Sequence, residues 1–237
     1  MADLVPAFEP PRIPVRGGGT FPVRRIYCVG RNFADHAREM GAQAPASPEA
    51  RGRPVLFAKP ADAIVLDGRV PYPPATSELH HEVELTVAIG RDACPGVLAS
   101  AEAPELVLGY GIGLDLTRRD LQAAAKAGGL PWDTAKGFDH SAPVSELVRA
   151  ADAGPLQART LSLQVNGQQR QSARLDQMIW SVADILHELS HLYRLRAGDL
   201  VFMGTPAGVA ALQPGDRCSA RLDDLLALDC AILPPLA

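Results

Sequence analysis

The chain predicts a strand-rich α+β fold with a few helices. Gly and Pro number 21 each and aromatic residues are only 5% of the sequence, a balance suited to short strands joined by turns. Strand-length apolar runs recur between these breakers, whereas helical stripes are few. At 237 residues the chain has length for one large domain or two small ones, with a real core.

Residues 1–24 read as an extended arm, because Pro10-Pro11 and Gly17-Gly18-Gly19 exclude a helix. Ile26–Val29 is then a short buried strand, and Asn32–Met40 a helix capped by Asn32 and stopped at Gly41. A polar, proline-containing loop follows over Ala42–Arg53. Val55–Ala58 and Ala63–Leu66 read as strands, Tyr72–Thr76 as a proline-rich turn, and Leu79–Ile89 as a longer strand. Leu106–Leu116 is another strand, whose Gly109, Gly111 and Gly113 permit close backbone approach. Thr117 caps a helix running through Lys126 to Gly128-Gly129. Asn166-Gly167, between Leu161–Val165 and Gln168–Gln171, signals a tight hairpin. Met178–Tyr193 is the clearest helix, with Met178, Val182, Ile185, Leu186, Leu189 and Tyr193 on one stripe. Leu200–Met203 and two short strands after Gly215 close the chain.

Composition narrows the function classes. Hydrophobic residues make up 47% and charged residues 21%, as in an ordinary globular protein. A net charge of −4 offers no broad basic surface, so nucleic acid is not an expected partner. No run reaches the roughly 18 continuous apolar residues of a membrane span. Met1–Pro14 lacks a charged-then-apolar signal pattern, and a cytoplasmic protein is expected. Cys28, Cys94, Cys218 and Cys230 are scattered without a Cys-x-x-Cys pair, so neither a zinc knuckle nor a disulfide framework is predicted.

The most informative chemistry lies in His80-His81-Glu82-Val83-Glu84. In a strand Glu82 and Glu84 leave the same face, while Val83, Leu85, Val87 and Ile89 line the other as core. Two neighbouring carboxylates repel and require a cation, a shared proton or solvent. Asp115 ends a glycine-rich strand, where a side chain commonly faces a cleft, and could supply a third carboxylate. Three carboxylates without a thiolate favour a hard cation, Mg²⁺ first, with Mn²⁺ or Ca²⁺ also suited. A solvated face on an edge strand would give the same Glu82/Glu84 spacing, and the spacing alone does not separate the two.

Neighbouring residues extend the constellation. Arg119 and Gln122 share a helix face at i,i+3, and Lys136 follows a Gly-Gly break. Such groups near three carboxylates and a metal suit an anionic substrate with several oxygens. Arg118 reads as surface charge. His36 and Glu39 are also i,i+3, which makes a His–carboxylate dyad available as a water activator, although such a pair alone is more often an exposed helix contact.

Taken in order, these segments resemble the fumarylacetoacetate hydrolase family in its short bacterial form. The matching stretches are Tyr27–His36, Phe57–Pro60, His81–Leu85, Gly113–Thr117, Arg119–Gln122, Pro131-Trp132 with Ala135-Lys136, and Gly198-Asp199 leading to Gly204–Val209. The resemblance implies a mixed β-sandwich roll, a single catalytic domain over residues 25–237, and a homodimer. It implies Mg²⁺ or Mn²⁺ on Glu82, Glu84 and Asp115, and His36 with Glu39 as the catalytic dyad. Lys136 would stabilise developing negative charge. Arg31, Lys59, Arg119, Gln122 and Thr205 would contact the substrate. The implied reaction is hydrolysis of a carbon–carbon bond in a 2,4-dioxo acid. Phe21–Tyr27, Lys59–Ala63 and Thr117–Gln122 are most like the fumarylpyruvate-cleaving branch of gentisate breakdown. Other branches decarboxylate oxaloacetate or isomerise and decarboxylate related acids.

Two rival readings remain. His187-Glu188-Leu189-Ser190-His191 matches the His-Glu-x-x-His pattern of zinc hydrolases, with Glu188 as base. Helical rotation turns both histidines from the apolar stripe, and no Glu or His follows His191 as a further ligand. The other rival is a silent acid-binding or structural protein on the same fold. His80 and His140 are expected to be structural, and alternation sends His81 to the face opposite Glu82.

Overall fold

The computed structural model describes residues 4–41, 43 and 48–236. Two sheets carry most of the fold. Their strands are β1 (Arg25–Gly30), β2 (Val55–Lys59), β3 (Arg69–Pro71), β4 (Val83–Ile89), β5 (Val107–Leu114), β6 (Val148–Arg149), β7 (Thr160–Val165), β8 (Gln168–Arg174), β9 (Asp199–Phe202), β10 (Arg217–Leu222) and β11 (Leu226–Leu233). The first sheet runs β6-β5-β4-β9-β1-β2, antiparallel except for the parallel β9–β1 pair. The second runs β8-β7-β10-β11-β3, antiparallel except for β11–β3. The strand-rich α+β expectation is met.

Alternation explains how the sheets meet. Val83, Leu85, Val87 and Ile89 share one buried cluster with Leu161, Leu163, Ala220, Leu222 and Leu228 of the second sheet. The reverse face of the first sheet packs Ile26, Cys28, Ala88, Leu200 and Phe202 against Ile13, Val15, Phe21 and Val23. Those four come from the segment ahead of β1, where Arg12–Pro14 pairs antiparallel with Thr20–Pro22. The first sheet is therefore covered on both faces, and every residue of β4 is buried. Glu84 reaches the functional site only because it stands at the start of the strand.

The expected strand Leu79–Ile89 is interrupted. Leu79–His80 pairs with Thr117–Arg118, whereas Val83–Ile89 pairs with β5. Between these ladders the His81 N–H donates to the Ala210 carbonyl, and the Glu82 carbonyl accepts from the Asp115 N–H. This interruption sets Glu82 and Asp115 beside the first turns of β4 rather than inside its ladder. The Asn166-Gly167 hairpin forms as expected, with both residues at positive φ (52° and 77°).

The helices are α1 (Ala34–Glu39), α2 (Arg119–Gly128), α3 (Asp133–Lys136) and α4 (Val182–Ser190). Asn32 does not cap α1; Phe33 takes that position without a side-chain bond. The fully buried Asn32 amide instead accepts from Trp180 N–H at 2.7 Å and donates to the Trp180 and Met203 carbonyls. Thr117 likewise does not cap α2, because its hydroxyl donates to the Asp115 carbonyl. The predicted helix Met178–Tyr193 is shorter at both ends. Ser181 and Asp184 form a capping box at its start, while Met178 packs on the core in extended backbone. Apolar periodicity thus runs past the helix into chain that packs without being helical. Residues 42 and 44–47 of the expected loop Ala42–Arg53 lie outside the described residues, and the described part carries a 3₁₀ turn at Pro48–Arg51. Cys94 is exposed, and Cys28, Cys218 and Cys230 are buried free thiols. Among the described residues no helix is long and apolar enough to cross a membrane.

Gly113 faces Glu84 in the β4–β5 register, two residues before Asp115. A Cβ there would lie 2.3 Å from Phe202 Cε1 and 2.9 Å from Thr86 Cγ2. Gly113→Ala is expected to cost about 1–3 kcal/mol by overpacking, which lowers Tm by roughly 2–4 °C per kcal/mol in a chain of this size. Thermal unfolding measures it, and an unchanged Tm would show that β5 does not need this close approach.

Candidate active site

Glu82, Glu84 and Asp115 converge, each buried, with one carboxylate oxygen from each within 4.8 Å of the others. The solvated-edge alternative is thereby excluded. Three buried carboxylates demand compensation, and three cations supply it. Lys136 Nζ donates to Glu82 Oε2 at 2.8 Å and Asp115 Oδ2 at 2.6 Å. Arg119 Nη2 donates to Glu82 Oε1. Lys59 Nζ lies 2.8 Å from Asp115 Oδ1.

The pattern splits the acids. Burial pushes Glu82 up, but the charges of Lys136 and Arg119 outweigh it and hold the carboxyl far below its usual range. Burial, with Asp115 and then Glu82 as like charges, pushes Glu84 well above that range despite Lys136 and the Gly204 N–H. Burial lowers Lys136, yet Asp115 and Glu82 reverse this and raise it. Without a metal, Glu84 therefore holds a proton far more readily than Glu82.

Asp115 Oδ1 is buried and receives no hydrogen bond, the nearby Lys59 ammonium being misdirected for one. An unsatisfied oxygen beside two further carboxylates fits a hard divalent ion. The donor set therefore suits Mg²⁺ or Mn²⁺ and could hold either, with Ca²⁺ compatible on the same grounds.

The same cleft is also lined by His36, Arg31, Gln122 and Thr205. His36 Nδ1 is 3.0 Å from Glu39 Oε2, and Glu39 Oε1 accepts from the Gly208 N–H at 3.0 Å. A ring held through Nδ1 leaves Nε2 to exchange a proton. The Gly204 N–H donates to Glu84 Oε2 at 2.6 Å. Gly204 has φ +93°, and a Cβ there would fall 2.6 Å from the Asn32 Cβ. The Asn32 clamp and a glycine thus bring the Gly204–Gly208 loop onto both the triad and the dyad.

The other expected residues divide. Arg119 Nη1 donates to Gln122 Oε1 at 2.6 Å, and both residues line the cleft. Arg31 reaches it from left-handed backbone at φ +61°. Lys59, expected at the substrate, is instead fully buried behind Asp115, with its ammonium on that acid and on the Leu116 and Lys136 carbonyls. Its charge is consumed by the fold.

Gln171 was not foreseen. Its Oε1 accepts from the Val83 N–H and lies 2.9 Å from His81 Nδ1, while Nε2 donates to Thr205 Oγ1 and the Pro206 carbonyl. It ties the second sheet to the start of β4 and to Thr205, whose hydroxyl donates to the Val83 carbonyl. Its one local signal was parity, since it pairs with the buried Leu163 in the hairpin.

His187 and His191 lie on α4 and at its C-cap. Among the described residues no acid, cysteine or further histidine joins them in a three-ligand group. His187 is not simply solvent-facing: its Nδ1 is 2.7 Å from the Leu98 carbonyl.

The chain is similar to known proteins over most of its length. The Fumarylacetoacetate (FAA) hydrolase C-terminal family model matches residues 25–233. Oxaloacetate tautomerase YcgM of Escherichia coli K12 is 42% identical over 206 residues, covering 86% of this chain and 90% of its own. Fumarylpyruvate hydrolase of a Ralstonia species is 40% identical over 193 residues, covering 77% and 98%. The crystal structure of fumarylpyruvate hydrolase from Pseudomonas aeruginosa, in complex with Mn²⁺ and pyruvate, superposes with a TM-score of 0.92 at 44% identity, covering 98% of this chain and all of that one.

Metal affinity is expected to rise with pH. Glu84 must shed its proton to become a ligand, so Kd should worsen about tenfold for each pH unit lost below its raised pKa. The metal-free fold has the matching dependence. The folded state holds this proton more tightly than the unfolded chain, so Glu84 makes stability fall as pH rises from the ordinary carboxylate range. Titration calorimetry of Mg²⁺ in buffers of different ionisation heat measures the proton released; a pH-independent affinity with no release would refute the assignment.

Proposed function

The chain belongs to the fumarylacetoacetate hydrolase family, and from that membership and the cleft we propose that it hydrolyses a carbon–carbon bond of a 2,4-dioxo acid. The favoured substrate is fumarylpyruvate, giving fumarate and pyruvate, with Mg²⁺ or Mn²⁺ as cofactor. One observation carries the reading: His36, held by Glu39, lines the same cleft as Glu82, Glu84 and Asp115. A water-activating base thus stands beside a site able to gather keto-acid oxygens. The likeness to the fumarylpyruvate hydrolases of Pseudomonas aeruginosa and Ralstonia supports the substrate.

The residues divide the work. A divalent ion on the triad would polarise the keto-acid oxygens and stabilise the charge that develops on them. His36, oriented by Glu39, takes a proton from water through Nε2. The water oxygen bonds to the distal carbonyl carbon, and the bond from that carbon to the pyruvyl methylene breaks. Its electron pair stays on the pyruvyl fragment as an enolate, and the proton on His36 is returned to the former methylene carbon, which becomes the methyl of pyruvate. Lys136 uses two N–H groups on Glu82 and Asp115, which leaves the third for a substrate oxygen. Arg119, Gln122, Thr205 and Arg31 bind the rest of the acid. Three carboxylates against Lys59, Lys136 and Arg119 balance in charge, so an added dication leaves a cleft suited to a dicarboxylate. The proposal extends to a homodimer, as the family resemblance implies, and to the cytoplasm, as the sequence composition leads one to expect.

A second reading, keto–enol tautomerisation of oxaloacetate, is favoured by the likeness to the Escherichia coli tautomerase. It needs His36 only to move a proton between carbon and oxygen, without attack by water. Decarboxylation of oxaloacetate would likewise use the triad alone.

Pyruvate release from fumarylpyruvate, acetylpyruvate and oxaloacetate, with Mg²⁺ or Mn²⁺ and with EDTA, separates these readings. Metal-dependent cleavage of fumarylpyruvate is expected. His36→Ala should lower kcat by about 10²–10⁴-fold with Mg²⁺ binding kept. Enol–keto interconversion of oxaloacetate with no cleavage of either acylpyruvate would replace the hydrolase with the tautomerase. Cleavage undiminished in His36→Ala would remove the dyad from the mechanism.

A further inference from the structure

The one chemical motif that the proposed reaction leaves unused is the imidazole pair at the end of α4. Among the described residues it has no third protein ligand, and no acid beside it completes a hydrolytic constellation. Its own geometry is nevertheless specific. His187 Nδ1 faces the Leu98 carbonyl at 2.7 Å, so this nitrogen carries the ring proton in that bond and Nε2 is left with its lone pair. The carbonyl does not move freely. The Leu98 N–H donates to Ser190 Oγ at 2.8 Å, and Ser190 Oγ donates to the His187 carbonyl at 2.7 Å, so the Leu98 segment is clipped to the last turn of the helix. His187 is therefore held in one tautomer and one orientation, as metal-ligating histidines are by a carbonyl on the far nitrogen.

The partner ring is one turn on. His191 Nε2 lies 3.3 Å from His187 Nε2. Two nitrogens bound to a tetrahedral ion at 2.0–2.1 Å stand about 3.3–3.4 Å apart. The two rings already present their Nε2 atoms at the bite of a chelate.

We propose that His187 and His191 form a two-imidazole site for a borderline divalent transition ion, with Zn²⁺ its simplest occupant. In the metal-free chain one proton is shared between the two Nε2 atoms. Binding replaces that hydrogen bond: His191 moves its proton to Nδ1, both Nε2 lone pairs face the ion, and no net proton is lost. The remaining coordination positions belong to water or to a ligand from outside the chain. Two neutral nitrogens discriminate against Mg²⁺ and Ca²⁺, which seek oxygen, so this site and the carboxylate triad sort ions by hardness. The unfolded chain does not hold the two rings at this spacing, so the ion binds the folded helix preferentially and stabilises it.

The test uses the untagged full chain. Glu84→Gln first weakens the triad with an isosteric amide, since Zn²⁺ also binds carboxylates. In this variant Zn²⁺ titration calorimetry should still show one equivalent bound, and Tm should rise with Zn²⁺ but not with Mg²⁺. Adding His191→Ala, an exposed position that leaves the packing intact, should weaken the remaining Zn²⁺ binding by at least the about 10–100-fold that loss of even an outer ligand partner costs. Imidazole proton resonances of two histidines alone should shift on Zn²⁺ addition. Zn²⁺ binding in Glu84→Gln that is unaffected by His191→Ala would overturn the proposal, as would its absence in Glu84→Gln. Neither outcome bears on cleavage of dioxo acids, which is assayed separately.

Discussion

Everything in this structure answers to the burial of three carboxylates within 4.8 Å of one another. Stripped of water, such a set cannot persist as three free anions, and the chain meets the demand in three ways. Lys136 bridges Glu82 and Asp115, Arg119 takes an oxygen of Glu82, and Lys59 lies against Asp115. The Gly204 N–H supplies a neutral donor to Glu84. What this leaves over is a Glu84 carboxyl pushed towards its protonated form and an Asp115 oxygen that accepts no hydrogen bond. Both are marks of a set completed by a dication.

That demand explains the fold around it. The interruption at His81-Glu82, matched by the turn at Asp115, lets two paired strands deliver three acids to one point. Gly113 admits Phe202 and Thr86 so closely that no side chain fits, which supports the acids from beneath. Gln171 crosses from the second sheet to hold the Val83 N–H and Thr205 together. The N-terminal hairpin seals the far face of the same sheet. Lys59, buried and spent on Asp115, belongs to this supporting structure.

How much of this was legible in the sequence depended on the distance between cause and effect along the chain. Glu82 and Glu84 could be paired because period-two alternation is local, and His36 with Glu39 because i,i+3 neighbours meet on any helix. Asn32 was misjudged for the opposite reason. Its amide looks like a cap locally, yet its partners at Trp180 are 148 residues away. Gln171 bonds to Val83 88 residues away, and only its parity in the hairpin distinguishes it from a surface glutamine. Lys59 reads like any strand-end lysine until Asp115 is brought against it. The overlong helix at Met178 has a different cause, since apolar periodicity reports burial and not backbone conformation. Ser181 with Asp184, a polar pair at cap spacing, marked the true start.

The origin of the cleft residues bears on what a chain with this centre can act upon. The acids and Lys136 are tied to one another and to paired strands, so their geometry has little freedom. The rest of the wall comes from turns and short helices: Arg31 on left-handed backbone, Met40 at the end of α1, and Trp132 ahead of α3. Such segments change length and shape at little cost to a core they do not enter. Under the proposed reading, the chemistry common to dioxo acids and oxaloacetate is gathering of keto-acid oxygens, which the rigid part would supply, and movement of one proton by His36. What distinguishes these acids is the group beyond the second carbonyl, and only the turn-borne wall can meet it. Relatives about 40% identical that differ in named reaction are what this division would produce if, as proposed, the residues that select the substrate are those the fold constrains least.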